Sequence, residues 1–164
     1  MEDILSLIAI ALSLVSLIYS YKLNRDGVIH DRKRDTLDAF NLLQEQVLDQ
    51  LNSYTKAELD RLCTNPRSAE YKKVSVLLAR IEHFAVGVNE EIYDRKTVKR
   101  LAGRHIVKTY ENLECMIEAK RLLSQKISGN SGETLYDDFE KLAVSLGYKK
   151  KANAARKTED MSHV

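Results

Sequence analysis

Residues 4–21 form a run of eighteen uncharged residues in a chain where 30% are Asp, Glu, Lys or Arg. Most of the run is Ile, Leu, Val or Ala. At about 1.5 Å per residue it reaches roughly 27 Å as a helix, close to the thickness of a bilayer's hydrocarbon core. Tyr19 and Tyr21 stand where aromatic rings favour the headgroup layer, and Lys22 can snorkel. Glu2 and Asp3 precede the run; Lys22, Arg25, Arg32, Lys33 and Arg34 follow it. Between 22 and 34 those five bases stand against two acids, Asp26 and Asp31. Basic residues collect on the cytoplasmic side of a membrane segment, which places the N-terminus outside and the body in the cytoplasm. A cleaved signal peptide would need a basic start and a small-x-small cleavage site. Here the start is acidic and no such site follows. The run therefore predicts a retained, single-pass transmembrane helix.

Within it, Ser6, Ala9, Ser13, Ser16 and Ser20 recur at spacings of 3, 4, 3 and 4. That spacing puts them on one seam of a helix. Lipid tails are as apolar as Leu, so membrane helices associate through close packing at small residues and through hydroxyl hydrogen bonds. The seam predicts self-association, or pairing with another protein's span.

The remaining chain is long enough for one domain with its own core. It has one Pro and no Trp, and many Leu, Glu, Lys and Ala, which points to an all-α body. The net charge of +2 is too small to argue for nucleic-acid binding. Cys63 and Cys115 have no metal or redox spacing and read as reduced, buried, small hydrophobes.

A polar joint at 22–30 is expected after the anchor, with Gly27 permitting a bend. A helix over about 31–63 follows, its apolar face marked by Leu37, Phe40, Leu43, Val47, Leu51 and Tyr54. Pro66 stops it, and Ser68 caps the next helix. That helix buries Val74, Leu77, Leu78, Ile81, Phe84, Ala85 and Val88. Asp94 caps a long helix over about 95–127. Its stripe is Val98, Leu101, Ala102, Ile106, Thr109, Leu113, Met116, Ile117, Leu123 and Ile127. A Ser-Gly-Asn-Ser-Gly turn at 128–132 leads to a short helix with Leu135, Phe139, Leu142, Ala143 and Leu146 inward, stopped by Gly147. The expected organisation is a transmembrane helix at 4–21, a basic joint at 22–30, a four-helix cytoplasmic bundle at 31–148 and a disordered basic tail at 149–164.

Several stretches resemble the domain-of-unknown-function 4760 family of bacterial proteins. They are Ile81-Glu82-His83-Phe84-Ala85-Val86-Gly87-Val88-Asn89 with Ile92-Tyr93-Asp94, and Leu101-Ala102-Gly103 with Tyr110-Glu111 and Ile117-Glu118-Ala119-Lys120-Arg121. Arg34-Asp35-Thr36-Leu37 upstream and Tyr136-Asp137-Asp138-Phe139-Glu140-Lys141-Leu142-Ala143 downstream fit the same pattern. The likeness covers about 30–148. It implies a helical fold, often with a single N-terminal membrane helix, at a bacterial inner membrane. It supplies no catalytic residues.

Two constellations bear on chemistry. Arg100 and His105 have the Arg-x4-His spacing of helical ribonucleases, in which His moves a proton and Arg holds phosphate. Leu101 stands where that class carries a polar residue. Glu82, His83, Glu90, Glu91 and Asp94 gather around a helix end, but His83 has no second His within a turn, so these read as solvated surface and not as a metal site. No Gly-rich phosphate loop is present; Gly87 and Gly103 inside helices mark close packing. The chain thus reads as a membrane-anchored interaction module with no cofactor. Its partners would be the membrane and either a second copy or another protein. The alternative is a tethered ribonuclease using Arg100 and His105, the one reading that brings in nucleic acid.

Overall fold

The computed structural model describes residues 2–128 and 135–149; of residues 2–9, 11, 127 and 128 only the backbone is described. Every regular element among them is helical. Helix α1 spans Glu2–Leu43 and continues through a π-helical segment, Gln44–Leu48, into α2, Asp49–Asn52. Then come α3, Lys56–Cys63, α4, Ala69–Asn89, α5, Arg95–Ser128, and α6, Asp137–Leu146. The turn at 129–132 and the tail from 150 lie outside the described residues.

The expected joint at 22–30 is not a break. α1 runs through Asn24, Arg25, Asp26 and Gly27 without interruption. A single Gly costs a helix about 1 kcal/mol relative to Ala, too little to end one in a stretch with no Pro.

The helix expected over 31–63 is likewise corrected. At its middle the amide of Asp49 donates to the carbonyl of Gln44, the wider ring of a π turn. The extra residue lets Val47 and Leu48, neighbours in sequence, both enter the core. The helix then ends, and the chain turns at 53–55. Thr55 opens α3 with a reciprocal cap: its hydroxyl accepts from the Glu58 amide (3.3 Å), and the Glu58 carboxylate accepts from the Thr55 amide (2.7 Å). α3 packs back against α5. The first of the four expected helices is therefore two, the end of α1 running into α2, and α3. The end of α1, with α3, α4, α5 and α6, encloses one core.

The stripe of α4 is buried as its spacing predicts. In α5, Val98, Ala102, Ile106, Thr109, Leu113, Met116 and Ile117 are buried, but Leu101 and Leu123, off the centre of that stripe, are exposed. On α1, Thr36 turns inward in place of Leu37. Its hydroxyl donates to the Arg32 carbonyl (2.6 Å) and accepts from the Asp94 amide (2.7 Å), so a fully buried Thr pins the start of α5 to α1. Asp94 caps α5 as expected, accepting from the amide (2.8 Å) and hydroxyl (2.6 Å) of Thr97. Those bonds, the hydroxyl's foremost, hold its carboxyl below the ordinary range. Gly147 ends α6 at φ 115°, with the Tyr148 amide donating to the Ala143 carbonyl (2.9 Å).

Gly87 marks a close approach, as the sequence suggests, though to a turn and not to a helix. A Cβ there would lie 2.5 Å from the Tyr93 ring, which folds back over α4 and stacks on Phe84. At Gly103 an added Cβ would make only ordinary contacts.

Candidate functional site

Along α1, every described side chain from Ile10 to Asp35 is exposed. Leu12, Leu14, Val15, Leu17 and Ile18 each keep 55–67% of their surface. At 100° per residue these five cover well over half the circumference. Ser13, Ser16 and Ser20 occupy the rest and line a shallow groove with Leu12 and Leu17. The side chains of Ser6 and Ala9 lie outside the described residues. The serine seam is about half a turn from Thr36, Phe40 and Leu43, by which α1 enters the body. Lys22, Arg25, Arg32, Lys33 and Arg34 are all exposed on the same helix. Among the described residues no helix is long and apolar enough to cross a membrane. Residues 4–9 and 11, the most apolar part of the expected span, have no described side chains.

Arg100 and His105 both lie on α5, Arg100 exposed and His105 half-buried. Five residues apart, they point about 140° from one another around the helix. Within one chain they do not meet.

Glu82 is not solvated surface, which corrects the reading of the acidic group. It is half-buried at the start of α6, where its carboxylate accepts from the amides of Asp138 (3.2 Å) and Phe139 (2.8 Å). It caps a neighbouring helix from the side, the task an N-cap residue performs from within. Burial lifts its carboxyl above the ordinary value, against the pull of the two amides. About two turns along α4, Asn89 Nδ2 donates to the carbonyl and the carboxylate of Asp138 (3.0 Å each). Arg121 of α5 completes the clasp: Nε donates to the Leu135 carbonyl and Nη1 to the Glu140 carboxylate, both at 2.8 Å. The Tyr148 hydroxyl donates to Glu114 (2.6 Å). These residues hold α6 to α4 and α5. One signal for Glu82 was visible in the sequence. It stands four residues after Leu78 and three before Ala85, inside the buried stripe, where a charge requires buried partners.

Among the described residues no group of three His, Cys, Asp or Glu is placed to hold a metal. Cys63 and Cys115 are free thiols, half-buried. Cys63 is pushed up to about 12 by burial first and by Cys115 beside it second, which keeps it an inert thiol. A groove of about 430 Å³ lies between α1 and α4, lined mainly by apolar side chains including Leu42, Val47, Val76 and Phe84. Arg80 crosses it to Gln46 (Nη1 to Oε1, 3.2 Å).

Residues 4–146 match the family described as domain of unknown function, DUF4760. The chain belongs to the DUF4760 family. The match reaches further towards the N-terminus than the residues that first suggested it, and takes in the uncharged run of α1. No curated protein and no solved structure matches the chain.

Proposed function

We propose that this DUF4760 protein is a membrane-tethered helical interaction module, with its N-terminus outside and its body on the cytoplasmic face of a bacterial inner membrane. The observation that carries the reading is the exposed apolar half of α1. A helix that is apolar over most of its circumference, with no described side chain from Ile10 to Asp35 covered by its own domain, needs lipid or another chain around it. The charge order along α1 sets the orientation: acids before the run, and Lys22, Arg25, Arg32, Lys33 and Arg34 after it. Because α1 passes unbroken into the core, anchor and body form one rigid piece. Tethering would then act by raising the effective concentration of the module's partners at the membrane surface. Glu82, from the acidic group around the end of α4, serves with Asn89 as a clasp between helices, and Arg100 and His105 point apart on α5, which favours an interaction role over catalysis.

The test is alkaline carbonate washing of membranes that contain the full chain, together with labelling of a C-terminal tag. The protein should stay in the pellet, and the tag should react only with reagent on the cytoplasmic side. Release into the supernatant, or a tag shielded from cytoplasmic reagent, would sink the reading.

A further inference from the structure

The end of the body that faces the exposed half of α1 carries a second feature. The start of α5 is bonded to Thr36, while the middle of α5, at Cys115, lies beside Cys63 of α3, beyond the end of α2. The first turns of α5 are therefore on the stalk side of the body. There a cavity of about 410 Å³ opens between α1 and α5. Four cations line it, Arg32 from α1 and Arg95, Lys96 and Lys99 from α5, against two carboxylates, Glu91 and Asp94.

The two carboxylates offset part of that charge, Asp94 being drawn on by Lys96, and leave an excess of cations. Asp94 is taken up by Thr97. Arg95 reaches Asn89 (Nη2 to Oδ1, 3.3 Å), and Arg32, Lys96 and Lys99 make no ion pair among the described residues. Nor do the cations serve the helix. A helix start favours acids, as α3, α4 and α6 have in their first turns, but α5 has none there. The cations oppose the dipole at their own helix end, and the part they play within the chain is small: Arg95 reaches Asn89, and Lys96 adds to the pull that holds the Asp94 cap ionised.

We propose that this cavity binds a phosphate-bearing anion, gripped between Arg32 of α1 and the Arg95, Lys96 and Lys99 group of α5. A guanidinium fork binds phosphate oxygens in pairs and an ammonium adds a mobile point charge, so two Arg and two Lys from separate helices suit a phosphate mono- or diester. Binding bridges the stalk to the body next to Thr36, at the point where membrane position passes into the domain. Arg32 lies about 16 Å along the helix beyond Tyr21, so a lipid headgroup and a soluble phosphate compound are both within its range. Only the lipid source rests on the membrane reading above.

The test follows acylation of Lys96 and Lys99 by mass spectrometry in the full chain reconstituted into nanodiscs. Lys72 and Lys73, exposed on α4, are the internal reference. Three conditions at one ionic strength are compared: phosphatidylcholine discs, discs with about a third phosphatidylglycerol, and phosphatidylcholine discs with sodium pyrophosphate. At a pyrophosphate concentration of twice Kd, Lys96 and Lys99 should react about threefold more slowly while Lys72 and Lys73 do not change. Protection by phosphatidylglycerol alone assigns a headgroup; protection by pyrophosphate alone assigns a soluble phosphate; protection by both assigns the phosphate itself. Arg32→Gln should remove the protection. Unchanged rates in both anionic conditions, equal slowing at Lys72 and Lys73, or protection that survives Arg32→Gln would each overturn the site. Recovery of the chain in the discs reads the membrane proposal separately. A chain that stays out of them still reports on the cavity through the pyrophosphate condition in solution.

Discussion

The two halves of α1 share one helix and differ in everything else. From Ile10 to Asp35 no described side chain is covered; from Thr36 onward Thr36, Phe40, Leu43 and, past the π turn, Val47 and Leu48 are buried. The covered half has the fewer large apolar residues. What buries it is pattern: one stripe meets the stripes of α4 and α5. The exposed half is too broadly apolar for any single face to be satisfied within the domain. Content says that a segment wants to leave water, and periodicity says whether its own fold can take it in.

Charge placement gives the largest expected contrast. Ile81→Asp or Phe84→Asp puts an unpaired carboxylate among residues that are 2% and 6% exposed. Each should cost about 3–5 kcal/mol and abolish cooperative melting of the body. Val15→Asp on the exposed half should leave that melting untouched, yet cost about 3 kcal/mol of membrane insertion, read as loss from the carbonate pellet. If Val15→Asp also destabilised the body, the halves would not be independent.

The glycines invert the same contrast on a smaller scale. Gly87→Ala forces the Tyr93 ring off Phe84 and should cost about 1–3 kcal/mol in thermal or urea unfolding. Gly27→Ala meets nothing and should strengthen α1 by about 0.5–1 kcal/mol, seen as added helicity by circular dichroism.

The clasp at α6 comes next. Glu82→Gln keeps the shape but leaves an amide group facing one of two backbone N–H donors, at a cost of about 1–2 kcal/mol. The sign of its pH dependence follows from a folded carboxyl raised above its unfolded value. Its contribution is fully present below the unfolded value and is lost as pH rises through the folded one. The stability gap between wild type and Glu82→Gln, measured by urea unfolding, should therefore widen from neutral pH to about pH 4. A gap that narrows would place the carboxylate in a far more polar setting than the clasp provides.

The smallest expected effect lies on the seam. Replacing Ser13 and Ser16 with Leu should weaken self-association in a membrane reporter by on the order of 0.6 kcal/mol per hydroxyl contact, without hindering insertion. Leu14 and Ile18, on the face opposite the seam, changed to Ala should matter less. Equal effects from both pairs would make the seam a coincidence of composition.

Regular stripes were legible in the sequence because burial there follows periodicity alone: all seven apolar positions expected on α4 are buried, as are Phe139, Leu142 and Ala143 on α6. Gly27 permits a bend by its residue type, but its surroundings impose none, and α1 continues through it. The break at 53–55 contains no Gly or Pro, yet Thr55 and Glu58 spell a helix start that the apolar pattern running through it obscured. The π turn left no local mark, since it is set by two adjacent side chains finding room in one core. The basic cavity was half visible: Arg32 stood out beyond the uncharged run, but its partners at 95–99 come into range only through the Thr36 bond to Asp94.

The central claim, one unbroken helix with an exposed half, proposed to enter lipid at its N-terminal part, and a packed half, is tested most directly by a spin-label scan. Single labels are placed at each position from 10 to 47 of the full chain in lipid vesicles, in a Cys63→Ala, Cys115→Ala background, and probed with oxygen and with a water-soluble nickel chelate. Positions 10–21 should favour oxygen throughout, 22–35 should be open to nickel on every face, and 36–43 should alternate with helical period between covered and open. Nickel access throughout 10–21, or a loss of helical period between 24 and 30, would contradict the account.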